Sequence, residues 1–94
     1  MTPIFLGPRF IRSASRLDAR LRTKTETALQ NTARYFGAPH RHHGLGLRKL
    51  APQTWECRVD IRWRIVFIQE ENGLRAYDIM DHDEVRAWLK GNRP

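Results

Sequence analysis

Five cations, Arg48, Lys49, Arg58, Arg62 and Arg64, fall on successive short stretches of strand-like sequence between residues 47 and 69. If those stretches fold back on one another as a meander, the cations meet in space although the chain separates them. A guanidinium fork can donate to two oxygens at once, so the cluster suits a phosphodiester and the charge its oxygens gain during displacement. Only Glu56 and Asp60 are interleaved with the five, too few acids to neutralise them. The plainer alternative is a solvated strand face with scattered ion pairs. Arg64 weighs against it, because a charge inside the apolar stretch WRIVFIQ is costly unless it is paired or faces a cleft.

His82, in the stretch YDIMDHDEV, is the second candidate. It falls where a strand pattern gives way to a helix pattern, between Asp81 and Asp83. Neighbouring carboxylates raise an imidazole above its ordinary value of about 6.5 and ready it to donate a proton; the simpler role is to help start the helix. His40, His42 and His43 surround Arg41, and with Cys57 they suggest a metal site. Their spacing matches no zinc pattern, and Arg41, Arg48 and Lys49 disfavour a dication, so no metal and no other cofactor is expected. The same histidines, His43 in particular, can border the basic surface or form an ordinary polar loop. Cys57 alternates with Trp55 and Val59 and reads as a small buried hydrophobe rather than a nucleophile. Trp55, Trp63 and Trp88 could each stack on a base; Trp55 and Trp88 fit a core better, and Trp63 stays open.

The whole chain is consistent with a polyanionic partner. It has 94 residues, Lys+Arg 17 against Asp+Glu 10, a net charge of +7 and 40% hydrophobic residues. Such a composition predicts one folded domain over residues 1–94 that is drawn to nucleic acid. Fourteen of the seventeen cations are arginine. The acids gather in residues 69–84. No apolar run approaches the roughly 18 residues of a membrane span, and no secretory leader opens the sequence, so a cytoplasmic protein without membrane contact is expected. Walker, GxSxG, HExxH and GxGxxG motifs are all absent from the sequence.

The elements that must position these residues follow from periodicity. Residues 3–6 read as a short strand ended by Gly7-Pro8, and Pro8 suits a first helical turn. Phe10, Ala14, Leu17 and Leu21, continued by Thr25, Ala28, Leu29, Thr32 and Phe36, give two helices or one bent helix with a break near 13–18. Gly37 and Pro39 signal a stop, and APHRHHG reads as a loop. The period then becomes two: Leu45, Leu47 and Leu50 on one strand, Trp55 to Ile61 on the next, and 63–70 paired with 74–81 across Asn72-Gly73. Residues 83–90 form a short helix. The order β-α-α-β-β-β-β-α predicts an α+β fold: a first strand and helical hairpin on a curved, mostly antiparallel sheet of four to five strands, with a short C-terminal helix. All helices lie on one side, and the other side carries Arg58 and Arg64 in a basic concavity.

The stretch LRKLAPQTWECRVDIRWRIVFIQEENGLRAYDIMDHDEV resembles the RelE/ParE superfamily of toxins from type II toxin–antitoxin systems. The resemblance rests on the order of a leucine-ended strand (Leu47–Leu50), a tryptophan-led strand of alternating charge (Trp55–Val59), an aromatic-Arg-Ile-Val strand (Trp63–Phe67) and a last strand running into a helix (Tyr77–Val85). It implies a metal-independent mRNA endoribonuclease that acts on the ribosome and inhibits translation. Arg64 matches the arginine holding the scissile phosphate, Arg58 a basic position of the preceding strand, and His82 the histidine of YafQ-like members. Glu56 stands where RelE has a second lysine, and with His43 it is a candidate base. Arg86 and Trp88 replace RelE's tyrosine. Arg48, Lys49, Arg62, Trp63, His43 and Arg86 would contact RNA. The resemblance also implies a cognate antitoxin, and operator DNA only through that antitoxin. A ParE-like gyrase inhibitor and a non-toxic nucleic-acid-binding module with the same fold are the alternatives.

Overall fold

A computed structural model describes residues 1–91. Its elements run β1 (Ile4–Leu6), α1 (Pro8–Ala14), α2 (Ala19–Tyr35), α3 (Pro39–Leu45), β2 (Arg48–Ala51), β3 (Thr54–Arg58), β4 (Trp63–Glu70), β5 (Gly73–Asp81) and α4 (His82–Gly91). The five strands form one sheet in the order β1-β5-β4-β3-β2. Only β1 runs parallel to its neighbour, β5; every other pairing is antiparallel. The α+β architecture is the expected one. The last three residues of the sequence, 92–94, lie outside the described residues.

Strand parity decides the two sheet faces. Cys57↔Ile65 and Ile65↔Ile79 are cross-strand partners, so their side chains share a face. There they join Phe67, Leu74, Ala76 and Leu47 in the main core, closed by Phe10 of α1 and by Ala28 and Leu29 of α2. Ile65, Phe67 and Leu74 are fully buried, each contributing about 1.5–3 kcal/mol by leaving water. Asp18 starts α2 by accepting the Leu21 N–H at 2.8 Å, which is why the helical pattern breaks just before it. Thr25 and Thr32 are buried where α2 meets the sheet, their hydroxyls satisfied by the carbonyls of Leu21 and Ala28.

Four local expectations are corrected. Residues 39–45 are helical rather than a loop: Pro39 at the first turn starts α3 as readily as it stops α2, and Gly46, at φ +62°, closes it. Leu45 therefore ends a helix, and Leu47 enters the core ahead of β2. β3 stops at Arg58, and Ile61, expected on the strand, sits 91% exposed on a turn held by the Asp60 carboxylate, which accepts the N–H groups of Arg62 and Trp63. Not all helices share one side. Val85 and Trp88 of α4 cover Val66, Met80 and Tyr77, residues on the face opposite the main core.

The β4–β5 hairpin forms as expected but its loop is shifted by one residue. Glu70 pairs with Gly73, so Glu71 and Asn72 make the turn. Gly73, at φ +153°, lies against the Pro3 carbonyl, which accepts the Leu74 N–H. A β-carbon here would collide with that carbonyl oxygen in a backbone conformation that side chains avoid. Gly73→Ala should therefore destabilise the fold by roughly 1–3 kcal/mol in chemical unfolding, and an unchanged midpoint would contradict this packing.

Candidate functional site

The opposite face of the sheet carries the candidate chemistry. Arg48 pairs with Glu56, Arg58 pairs with Arg64, and Arg64 pairs with Met80, so one face presents three arginines and a carboxylate. Where α4 stops covering this face, a cleft of about 330 Å³ opens, and its walls include His43, Arg48, Glu56, Arg58, Arg64 and His82. Strands β2, β3 and β4 supply the arginines and Glu56, α3 supplies His43, and His82 is the first residue of α4.

Each guanidinium is held differently. The Arg48 Nε donates to the Glu56 Oε2 at 2.6 Å; the Glu56 side chain is 4% exposed while that of Arg48 is 66% exposed. Glu56 thus orients Arg48, whose two terminal nitrogens have no hydrogen-bond partner among the described residues. Arg64 uses Nη1 alone, donating to the carbonyls of Asp60 at 2.7 Å, Trp63 at 3.1 Å and Ile61 at 3.3 Å. Those carbonyls offset the cost of a half-buried charge, and Nε and Nη2 have no hydrogen-bond partner among the described residues. Arg58 has no ion pair among the described residues. Its side chain lies across Gly46, so close that a β-carbon at Gly46 would stand 2.7 Å from the Arg58 Cβ and 2.9 Å from its Nε. Gly46 and Leu47 line the cleft unanticipated; the signal for Gly46 was a glycine ending a helix that sequence periodicity did not reveal.

His82 is placed by its backbone. Its N–H donates to the Arg62 carbonyl at 2.9 Å, tying α4 to the 59–62 turn. Asp81 and Glu84 exchange hydrogen bonds as a capping box: the Glu84 N–H donates to Asp81 Oδ1 at 2.8 Å, and the Asp81 N–H to Glu84 Oε1 at 3.0 Å. The Asp81 carboxylate is therefore committed to the helix cap and to Arg62, 3.9 Å away. The imidazole of His82 makes no hydrogen bond among the described residues, and His82 is one of the residues that line the cleft.

Lys49, Arg62, Trp63 and Arg86 do not line this cleft. Lys49 is opposite Trp55 in the register, on the other parity from Arg48. Arg62 lies over the Trp63 ring, and Trp63 packs against the main core. Arg86 is exposed on α4. His42 packs its ring against Trp55 and Phe36. Cys57 is buried on the core side, and burial pushes its thiol up to about 11. Among the described residues no three His, Cys, Asp or Glu side chains gather as a metal site, and no helix is long and apolar enough to cross a membrane.

Two measurements check this geometry. The N–H group of Glu84 above all, with Arg62 close by, holds the Asp81 carboxyl below the ordinary 3.8. A depressed carboxylate stabilises the fold above its unfolded value and loses that contribution as pH falls through the folded one. The Asp81 carboxyl should thus titrate by NMR below 3.8, with amide exchange in the first turn of α4 accelerating over the same acid range; a midpoint at or above 3.8 contradicts the cap. The Cys57 thiol should resist alkylation in the native protein near neutral pH and react fully once unfolded. Prompt native labelling would place it elsewhere.

No protein-family model matches the sequence, and no curated protein matches it significantly. Solved structures do match by fold. A chain of the RelB–RelE antitoxin–toxin complex from Methanococcus jannaschii aligns at TM-score 0.62 and 8% identity, over 90% of this chain and 98% of that one. A chain of the heterotetrameric YoeB–YefM toxin–antitoxin complex from Staphylococcus aureus aligns at 0.64 and 19% identity, over 87% and 98%. YafQ from E. coli aligns at 0.59 and 13% identity, over 90% and 98%. The chain therefore has the fold of the RelE-like toxins of toxin–antitoxin systems.

Proposed function

We propose that the protein is the toxin of a toxin–antitoxin pair and an mRNA endoribonuclease acting on ribosome-bound message. The observation that carries this reading is a single cleft lined by His82 together with Arg48, Arg58 and Arg64. RNA cleavage by its own 2′-OH needs three things: removal of that proton, stabilisation of the pentavalent phosphorane, and a proton for the departing 5′-oxygen. The arginine nitrogens that have no partner among the described residues supply the second, and the imidazole of His82, in its protonated form, supplies the third. His43, exposed on the cleft rim, takes the first proton, while Glu56 keeps Arg48 aimed. The products are a 2′,3′-cyclic phosphate and a free 5′-hydroxyl.

Positioning by the ribosome would provide much of the rate, leaving free RNA a poor substrate. The solved RelB–RelE and YoeB–YefM complexes pair a toxin with an antitoxin, which supports a cognate antitoxin for this chain. That partner would cover the arginine cleft with an acidic segment, and operator DNA would be reached only through it.

The test is induction in cells. Synthesis of protein should stop promptly, with cleaved message ending in cyclic phosphate. His82→Ala should slow cleavage about 10²–10⁴-fold, and Arg58→Ala should weaken it without unfolding the chain. DNA damage that persists in His82→Ala would instead indicate gyrase inhibition, and normal growth would indicate a binding module. Either result overturns the nuclease.

A further inference from the structure

A second cleft, about 570 Å³, lies between α2 and the 59–62 turn and shares two walls, Arg58 and Arg64, with the first. Its lining combines apolar residues, Ala28, Leu45 and Val59 among them, with Lys24, Thr27 and Asn31 of α2. These three are spaced i, i+3 and i+7, one face of a helix. Their hydrogen bonding sets them apart from their neighbours. Thr23, Thr25 and Thr32 each donate to the carbonyl four residues back, whereas Thr27 makes no such bond among the described residues. The amide of Asn31 is half-buried and also lacks a partner there, although it can both donate and accept. Lys24 has no ion pair among the described residues. The one acid on the walls, Asp60, already accepts the Arg62 and Trp63 N–H groups.

We propose that this second cleft receives the nucleoside adjoining the phosphate held in the first, with Asn31 hydrogen-bonding the edge of its base. The inference rests on the reading of the first cleft as a phosphate site. Its volume falls within the roughly 300–1,000 Å³ of small-ligand sites. The apolar part of the lining suits the face of a base, the side-chain amide of Asn31 suits its donor–acceptor edge, and Lys24 in the same lining supplies a cation for a further phosphate. Continuity through Arg58 and Arg64, and cations outnumbering the single committed acid, favour a nucleic-acid strand over an acidic protein segment.

The full chain is titrated with two probes: inorganic phosphate, which can occupy only the first cleft, and an RNA trinucleotide carrying a 2′-deoxy sugar at the scissile position, which spans both and cannot be cut. Asn31→Ala should weaken the trinucleotide at least about fivefold and leave the binding of inorganic phosphate unchanged, and Thr27→Ala should move in the same direction. Arg58→Ala should weaken both probes. If Arg58→Ala acts on both but Asn31→Ala and Thr27→Ala act on neither, the nucleoside site is wrong while the phosphate site stands. If neither probe binds the unmodified protein, the phosphate site fails and the nucleoside site with it. If Asn31→Ala weakens an acidic heptapeptide and spares the trinucleotide, the cleft belongs to a protein segment and the proposal is overturned.

Discussion

The cross-strand pair Arg58↔Arg64 is the constraint around which the rest of the molecule is arranged. Like charges directly opposite one another on a sheet are unfavourable. The register that creates the pair is fixed from the other face, where Cys57 meets Ile65 and both pack beneath α2. A slip of one residue would turn every one of those apolar side chains towards solvent. The core thus forces two guanidinium groups together, and the fold manages the repulsion by tethering them to different places. Arg64 is pulled back to the carbonyls of the 59–62 turn, and Arg58 is laid across Gly46. Neither tether is an anion, so the positive field persists at the mouth of the cleft.

The same turn organises the remaining parts. Asp60 stabilises it from within by accepting two backbone N–H groups. Burial works against its ionisation, but those N–H groups, with Lys24 and Arg64 nearby, hold the Asp60 carboxyl below its ordinary value. The Arg62 carbonyl at the far side of the turn receives the His82 N–H and so sets where α4 begins. One four-residue connection therefore anchors an arginine, places a histidine and forms a wall of the larger cleft. This is the usual division of labour in which a rigid sheet supports functional groups on short connections.

Much of this was legible in the chain. Period-two alternation located β3, and the apolar stretch around Arg64 with the Asn-Gly signal located β4 and its hairpin partner. A break in the helical spacing near 13–18 separated α1 from α2, and the acids preceding Val85 marked α4. What stayed hidden has physical causes. α3 has a polar sequence with no apolar period, and it starts at Pro39, which with Gly37 also reads as a stop, and is closed by Gly46. The hairpin loop moved by one residue because the Pro3 carbonyl, distant in sequence, needs the space beside Gly73. α4 shields part of the charged face because Val85 and Trp88 find Val66 and Met80 there, a match between segments that no local pattern announces. Grouping Arg48, Arg58 and Arg64 followed from types and spacing, whereas joining Glu56, His43 and His82 to them followed from the resemblance. Adding Lys49 and Arg62 overlooked that neighbours on a strand point to opposite faces and that a turn breaks the parity.

The account turns on whether one anion is gripped by all three arginines beside His82. NMR titration with a nucleoside 3′-phosphate, following the guanidinium Nε–H signals and the His82 ring, tests that directly. Arg48, Arg58, Arg64 and His82 should respond together and saturate with one common dissociation constant. Weak, non-saturating changes spread over unrelated arginines such as Arg9, Arg34 and Arg86 would show a diffuse basic surface without a site.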